Sequence, residues 1–275
     1  MTSIANEKLL VITDLDASLL DEDYGYDGAK EALAALKEKG FPLILNSSKT
    51  YAELRQLAEK IGQCDAVVAE NGGLVAIHQL SSIAPVSEAD ANGFILQPAG
   101  MARREILEVA HALRESHSYS FEGFSDWSVQ QVIDHTGLSV SAAALAMERE
   151  TTEPIIWNGT ELEWNSFYTS LQEAGIKALR GGRFIHLMGQ VDKALGMQQL
   201  IDRYKQAEPH TLWKVVAIGD SANDKAMIEA ADYGVVIPHT DGPRVHPEQE
   251  TLIIASKTGS KGWGEAVSNI LKNYK

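Results

Sequence analysis

Short apolar runs alternate with amphipathic stretches along the first part of the chain. Residues 9–13 are almost wholly apolar and end in polar positions, which predicts a strand buried on both faces of a parallel sheet. Apolar positions between 29 and 36 recur at helical spacing, Gly40 marks the stop, and a second apolar run covers 42–45. The pattern predicts a β-α-β unit.

The same alternation continues directly afterwards. Thr50 and Glu53 have the spacing of a capping box, and the helix that they begin ends at Gly62. An apolar run at 66–69 then leads into a turn at 70–73, Glu-Asn-Gly-Gly. Alternating strands and helices predict an open doubly wound sheet that binds its ligands at the carboxyl ends of the strands.

The middle of the chain loses this rhythm. Between about 83 and 187 a polar loop precedes helical stretches around 103–115 and 139–150 and a strand at 154–157. The regular pattern then resumes with predicted helices at 192–204 and 222–231, strands at 215–218, near Val235 and at 252–255, and a final helix from about Gly262. We therefore predict an α/β fold: a doubly wound, Rossmann-like, mostly parallel core from 1–82 and 188–275, with an α/β cap domain inserted at 83–187.

Composition narrows the possible partners. The 275 residues include 38 acidic and 24 basic side chains, a formal net charge of −14. Because no basic excess is available to displace counterions, nucleic acid is a poor candidate partner. The lone Cys64, the absence of an apolar run or basic leader in residues 1–10, and the lack of any apolar segment of roughly 20 residues predict a cytoplasmic protein without a membrane span. Oligomeric state is left open.

Two aspartates follow the first predicted strand. Asp14 and Asp16 are suited to act as nucleophile and as general acid/base, respectively. The alternative is an Asx turn that closes the strand, and the pair alone favours that simpler interpretation. The choice therefore depends on the other strand ends.

Further polar residues occur at those ends. Ser47 and Ser48 follow the second strand, Lys193 opens a helix, and the segment 219–224 contains Asp220 and follows the strand at 215–218. Parallel topology brings these ends to one edge of the sheet. Carboxylates of Asp14, Asp16 and Asp220 offer hard oxygen ligands, which favours Mg²⁺, while Lys193 and a serine hydroxyl suit a phosphate. The predicted ligand is a small phosphorylated metabolite.

This ordered set resembles the four motifs of the haloacid dehalogenase superfamily: residues 14–20, Ser47, Lys193 and 219–224. The resemblance implies a magnesium-dependent phosphatase that forms an aspartyl-phosphate on Asp14. One departure is visible, since the family usually has Asp-Gly-Thr where this chain has Asp16-Ala17-Ser18. Alanine in place of glycine predicts a loop that avoids positive φ.

Residues 46–50, 70–73 and 181–186 look like the mannosyl-3-phosphoglycerate phosphatase family. The resemblance implies that Ser47 binds the phosphate, with Ser48 as the alternative, and that Arg183 and His186 contact the phosphoglycerate part. The other interpretation is a surface arginine and a packed histidine. Further candidates are Lys49 for substrate, Asn71 for its turn and the neighbouring loop, and Asn223 and Asp224 as supports for the metal site.

The resulting hypothesis is hydrolysis of a mannosyl- or glucosyl-3-phosphoglycerate to the glycosylglycerate. One alternative is a broad sugar-phosphate phosphatase of the same superfamily. Another is a non-catalytic module that binds a phosphorylated metabolite, for which Ala17 and Ser18 are the only indication. Retention of Asp14, Asp16, Lys193 and Asp220 argues against that module.

Overall fold

The computed structural model describes residues 6–181 and 183–274. Residues 1–5, which belong to the segment predicted to lack a leader, Gly182 of the 181–186 motif and Lys275 lie outside the described residues. Within the described ranges, no helix has both the length and the apolar character needed to cross a membrane.

An eight-stranded sheet contains both outer parts of the chain. Numbered along the chain, its strands are β1 (Asn6–Thr13), β2 (Leu43–Asn46), β3 (Ala66–Ala69), β4 (Leu74–His78), β5 (Phe94–Pro98), β10 (Thr211–Gly219), β11 (Tyr233–Val236) and β12 (Leu252–Ile254). They lie side by side in the order β12-β11-β10-β1-β2-β3-β4-β5. The pairs from β12 to β3 are parallel, and β4 and β5 add an antiparallel edge.

Helices cover both faces of this sheet. Alternate residues of β1 point to opposite faces, so Leu9 and Val11 join one apolar cluster while Leu10 and Ile12 join another. The first cluster contains side chains of α1 (Lys30–Glu38), α2 (Tyr51–Ile61) and α9 (Gly259–Leu271), and the second those of α7 (Lys193–Ala207) and α8 (Lys225–Glu229). The predicted α/β fold with a doubly wound, mostly parallel sheet is confirmed.

The helix α2 begins as its sequence predicts. The hydroxyl of Thr50 accepts the backbone N–H of Glu53 at 3.2 Å, and the Glu53 carboxylate accepts the backbone N–H of Thr50 at 2.9 Å. Gly62 ends the helix at φ +71°. A cap of this kind stabilises a helix by about 1 kcal/mol, and it fixes the start of α2 directly after residues 47–49.

A second sheet of four strands lies in the middle of the chain, in the order β6-β7-β9-β8. Ile155, Ile185 and Leu187 of this sheet form one apolar cluster with Phe167 and with Ile106. The strands are β6 (Phe121–Gly123), β7 (Thr152–Trp157), β8 (Lys177–Arg180) and β9 (Ile185–Met188), and the helices are α3 (Arg103–His117), α4 (Val129–Thr136), α5 (Val140–Met147) and α6 (Glu161–Glu173).

The division of the chain into a core and an inserted cap remains a prediction. Strand β5, at residues 94–98, pairs with β4 in the large sheet, although it falls within the predicted insertion 83–187. The small sheet and its helices follow it in sequence. We propose that the cap is the unit around the small sheet, beginning near α3 and ending after β9.

Candidate active site

The carboxyl ends of three parallel strands form the floor of the site. In the sheet, Thr13 of β1 lies beside Ile218 of β10 on one side and Leu45 of β2 on the other. Each of these strands is followed directly by a candidate residue: Asp14 after β1, Asp220 after β10 and Ser47 after β2. The topology therefore brings together residues more than 170 positions apart, as predicted from the sequence.

Lys193, the first residue of α7, is the buried cation of the site. Its Nζ lies 2.6 Å from Oδ1 of Asp14 and 2.6 Å from Oδ1 of Asp224, and its side chain is only 1% exposed. Burial by itself lowers the pKa of Lys193, but Asp14 and Asp224 outweigh that effect and raise it. Lys193 is therefore a permanent ammonium at neutral pH.

Asp14, Asp220 and Asp224 form a cluster of three buried carboxylates whose oxygens lie within 4.8 Å of one another. Burial raises the pKa of Asp14 and of Asp220, and neighbouring carboxylates add to both shifts. Only one ammonium, that of Lys193, bonds directly to this cluster among the described residues. Three hard oxygen donors with an excess of negative charge fit a small divalent cation such as Mg²⁺.

Asp16 lies outside this cluster of carboxylates. Its side chain is 52% exposed, and Oδ2 lies 3.0 Å from Nζ of Lys49. The Lys49 ammonium also lies 5.1 Å from the ring centroid of Tyr24. The structure thus groups Asp224, rather than the Asp16 side chain, with Asp14 and Asp220, because the chain turns after Asp14 and sends Asp16 towards the cavity.

The turn after Asp16 differs from the sequence prediction. Ala17 has φ +58°, in the left-handed region that the alanine was predicted to avoid. The short turn closes with the N–H groups of Ser18 and Leu20 donating to the carbonyl of Leu15, which requires this backbone. The Ser18 hydroxyl lies 3.4 Å from Oδ1 of Asp220, so the serine stays close to the cluster.

Backbone and amide contacts hold the loops around the carboxylates. Asp224 Oδ2 accepts the backbone N–H groups of Asp220 and Ser221, each at 3.1 Å. The side-chain amide of Asn223 donates to Oδ1 of Asn71 at 3.1 Å. Asn71 itself adopts φ +56°, and its N–H donates to the carbonyl of Ser47. These contacts link the loops after β2, β3 and β10 into one unit.

A cavity of about 520 Å³ lies between the carboxylates and the small sheet. Its lining includes Asp14, Asp16, Ser48 and Asn71 from the large sheet's loops. The opposite wall comes from the hairpin that joins β8 and β9, with Leu179, Arg180, Gly181 and His186, and Arg244 also contributes. The Ser47 side chain is buried at the end of β2, and its Oγ accepts the N–H of Lys49 at 3.3 Å.

His186 and Arg183 occupy different surroundings. Burial, with a smaller contribution from Arg149, lowers the pKa of His186 to about 3, and its Nδ1 has no hydrogen-bond partner among the described residues. Arg183 does not line the cavity: its guanidinium donates to the carbonyls of Thr136 at 2.6 Å and His135 at 3.2 Å. The end of α4 offers these free carbonyls, and they hold Arg183 there. Arg180 of the same hairpin is among the lining residues, but its guanidinium lies 5.3 Å from the ring centroid of Trp164.

Three residues at the site were not predicted from the sequence as site residues. His239 lies 2.7 Å from Oδ2 of Asp220, Arg244 lines the cavity, and the buried Glu70 ties its loop to residues 150–152. His239 follows β11, the strand beside β10, so strand order would have pointed to it. Neither spacing nor residue type indicated the roles of Arg244 and Glu70.

The chain matches the profile of the haloacid dehalogenase-like hydrolase family over residues 11–97 and 160–240, more than half of its length. It belongs to that family. The predicted superfamily is confirmed, and the candidate site lies at the carboxyl ends of the parallel strands of this fold.

Individual relatives agree with this assignment. A glucosyl-3-phosphoglycerate/mannosyl-3-phosphoglycerate phosphatase of Persephonella marina is 29% identical over 264 residues, covering 96% of this chain and 97% of that protein. A haloacid dehalogenase-like hydrolase from Bacteroides thetaiotaomicron has the same fold, with a TM-score of 0.67, 19% identity and coverage of 96% and 100%. A subclass IIB sugar phosphatase of the superfamily matches with a TM-score of 0.61, 14% identity and coverage of 97% and 98%. The two solved structures show the fold, and the named activity of the Persephonella marina protein agrees with the prediction of a phosphatase.

Proposed function

We propose that the protein is a magnesium-dependent phosphatase that hydrolyses a glycosyl-3-phosphoglycerate through a phosphoenzyme on Asp14. The observation that carries the proposal is the placement of the Asp14 carboxylate. It lies at a strand end, 2.6 Å from the buried ammonium of Lys193, and lines a cavity of about 520 Å³. A carboxylate held beside a fixed cation and open to a cavity is suited to attack a phosphorus atom.

In the first step, an oxygen of Asp14 forms a bond to phosphorus while the bond from phosphorus to the glycerate oxygen breaks. Asp16 gives a proton to the departing oxygen, since its carboxyl group lines the same cavity. In the second step water attacks the phosphorus, Asp16 takes a proton from that water, and the Asp14 carboxylate is released. Proton transfer of this kind contributes roughly 10² to 10⁴ to the rate.

Positive charge in the site makes the attack feasible, because carboxylate and phosphate otherwise repel each other. The cluster of Asp14, Asp220 and Asp224 would hold Mg²⁺, which supplies that charge when bound. Lys193 contributes its ammonium from below, and Ser47 or Ser48 donates a hydroxyl to a phosphate oxygen. Asn223, through Asn71, keeps the surrounding loops in register.

The opposite wall of the cavity and the relative both support the proposed substrate class. A phosphoglycerate carries a carboxylate beside its phosphate, and Arg244 lines the cavity, where a planar guanidinium group suits a carboxylate. The Persephonella marina protein is named for activity on glucosyl- and mannosyl-3-phosphoglycerate and aligns over nearly the full chain. Together they support a glycosyl-3-phosphoglycerate, a small soluble metabolite.

The test combines a substrate panel with trapping of the phosphoenzyme. Wild-type protein is assayed with mannosyl- and glucosyl-3-phosphoglycerate and with simple sugar phosphates, in Mg²⁺ and in excess EDTA. With substrate labelled in its phosphate group, acid quenching should trap labelled protein. Hydroxylamine should remove this label, as expected for an acyl phosphate, and Asp14→Asn should show no label. Full turnover in EDTA, or undiminished label in Asp14→Asn, would refute the mechanism.

The panel also separates the alternatives. Equal rates on many sugar phosphates would favour a broad sugar-phosphate phosphatase over the glycosyl-3-phosphoglycerate enzyme. Binding of phosphate esters without turnover would indicate a non-catalytic module.

We also propose a cytoplasmic location, in keeping with the single cysteine, Cys64, which is unpaired. Cell fractionation with a specific antibody tests it.

A further inference from the structure

His239 lies directly against a predicted metal ligand. Strand β11 pairs with β10 so that Val236 lies beside Gly219, the residue before Asp220. The next residues continue this neighbourhood, with the N–H of Ile237 donating to the carbonyl of Gly219 at 2.9 Å. The topology thus delivers the ring of His239 to the carboxylate of Asp220, where Nε2 lies 2.7 Å from Oδ2.

A closed turn fixes the backbone of His239. Its N–H donates to the carbonyl of Gly242, and the N–H of Gly242 donates back to the carbonyl of His239, both at 3.0 Å. Gly242 has φ +113°, which a side chain would not tolerate without strain, so the turn depends on this glycine. The imidazole is therefore held on a tight turn that two backbone hydrogen bonds close. Only 19% of the His239 side chain is exposed.

Other contacts of Asp220 leave the orientation of its carboxylate to His239. Asp224 accepts the backbone N–H of Asp220 and so fixes the main chain, but it does not hold the side-chain oxygens. The Ser18 hydroxyl lies 3.4 Å from Oδ1, at the long end of hydrogen-bond distances. The contact with His239 at 2.7 Å is shorter than the contact with Ser18.

We infer that His239 is a positioning residue for the metal site: its ring N–H holds Oδ2 of Asp220 and leaves Oδ1 for the divalent cation. An ionised carboxylate only accepts hydrogen bonds, so the imidazole nitrogen that faces it must donate. With one oxygen engaged, Asp220 acts as a single-oxygen ligand, which suits the octahedral shell of Mg²⁺. The inference rests on the proposed function, because the divalent cation is part of that function.

The test measures metal affinity without turnover. Isothermal titration with Mg²⁺, and with Mn²⁺ as a second probe, is carried out on the metal-stripped wild type and on His239→Ala, His239→Gln and His246→Ala. Loss of a hydrogen-bond partner of a metal ligand typically weakens metal binding about 10- to 100-fold, and this is expected for His239→Ala. His239→Gln keeps an N–H donor of similar reach and should recover most of the affinity. His246, exposed on the same loop, is the matched control and should leave it unchanged.

The outcomes separate this inference from the function on which it rests. Wild-type affinity retained in both His239→Ala and His246→Ala would overturn the positioning role and leave the phosphatase proposal standing. A wild-type protein that binds neither cation would overturn the metal part of the proposed function as well. Circular dichroism checks that each variant folds. If His239→Ala does not fold, His239→Asn, whose shorter amide cannot reach Asp220, takes its place, and its affinity must fall below that of His239→Gln.

Discussion

The carboxylate of Glu70 accepts the backbone N–H of Thr151 at 3.0 Å, although 81 positions separate the two residues in sequence. The same carboxylate accepts the N–H of Glu150 at 2.8 Å and the hydroxyl of Thr152 at 2.6 Å. Glu70 is fully buried and adopts φ +52° in the turn that also carries Asn71. One acidic side chain therefore joins the active-site loop after β3 to the segment between α5 and β7.

Glu70→Ala is expected to lower the free energy of unfolding by roughly 3–5 kcal/mol, because it leaves the buried N–H of Thr151, the buried hydroxyl of Thr152 and the partly buried N–H of Glu150 without an acceptor. Glu70→Gln keeps one acceptor oxygen and should cost less. Urea unfolding at neutral pH measures both. The exposed side chain of Glu150 provides the control, and Glu150→Ala should change stability little. A loss in Glu70→Ala no larger than this control would contradict the role of Glu70.

Ala17→Gly is expected to stabilise the protein by about 0.5–1 kcal/mol. A left-handed alanine costs roughly 1–2 kcal/mol, and the greater flexibility of glycine in the unfolded chain offsets part of the gain. Ala34→Gly, at an exposed position inside α1, should have the opposite sign and cost about 1 kcal/mol. Thermal and urea unfolding compare the two. Destabilisation by Ala17→Gly would show that the turn gains nothing from glycine.

Asp16→Asn should reduce turnover of a glycosyl-3-phosphoglycerate by about 10² to 10⁴, since the leaving oxygen then lacks a proton donor. The loss should be smaller with a nitrophenyl phosphate, whose leaving group is already a weak base. Rapid-quench kinetics on both substrates measure formation and breakdown of the phosphoenzyme separately. Equal losses on both substrates in the formation step would exclude Asp16 as the acid.

Arg244→Gln should raise KM for a glycosyl-3-phosphoglycerate about tenfold or more, because a charge-assisted contact with the substrate carboxylate is lost. KM for a nitrophenyl phosphate, which has no carboxylate, should change little. The guanidinium of Arg183 bonds to the end of α4, which makes Arg183→Gln the matched control. Steady-state kinetics decide, and a larger effect at Arg183 than at Arg244 would contradict this assignment.

His186 should make the protein less stable as the pH falls. Burial lowers its pKa from 6.5 to about 3, so between these values the unfolded chain binds a proton that the folded chain does not. Stability is therefore lost as the pH falls below about 6.5, by about 2 kcal/mol at pH 5. Urea unfolding at pH 8 and pH 5 should show a smaller decrease in His186→Gln than in the wild type. His210→Gln, at an exposed histidine, should behave like the wild type.

The sequence predicted those parts of the site that the sheet itself positions. Asp14, Lys193 and Asp220 follow regular elements, so strand order alone brings them together. Arg183 shows the limit of such a prediction, because only the fold of its hairpin decides that its guanidinium bonds to the end of α4 and does not line the cavity. Strand β5 was hidden for a related reason: an antiparallel edge strand after a long polar loop breaks the alternation that identified the other strands.

The pairing of β1 with β10 also has a consequence for how the molecule is assembled. Leu10 lies beside Val215, so the middle of the large sheet closes only after some 200 residues have been synthesised. Helix α9 covers one face of this sheet still later. Its Trp263 indole donates to the Thr13 hydroxyl, which in turn donates to the carbonyl of Asp14. Until then β1 exposes an unpaired apolar edge, a hazard for aggregation on the ribosome.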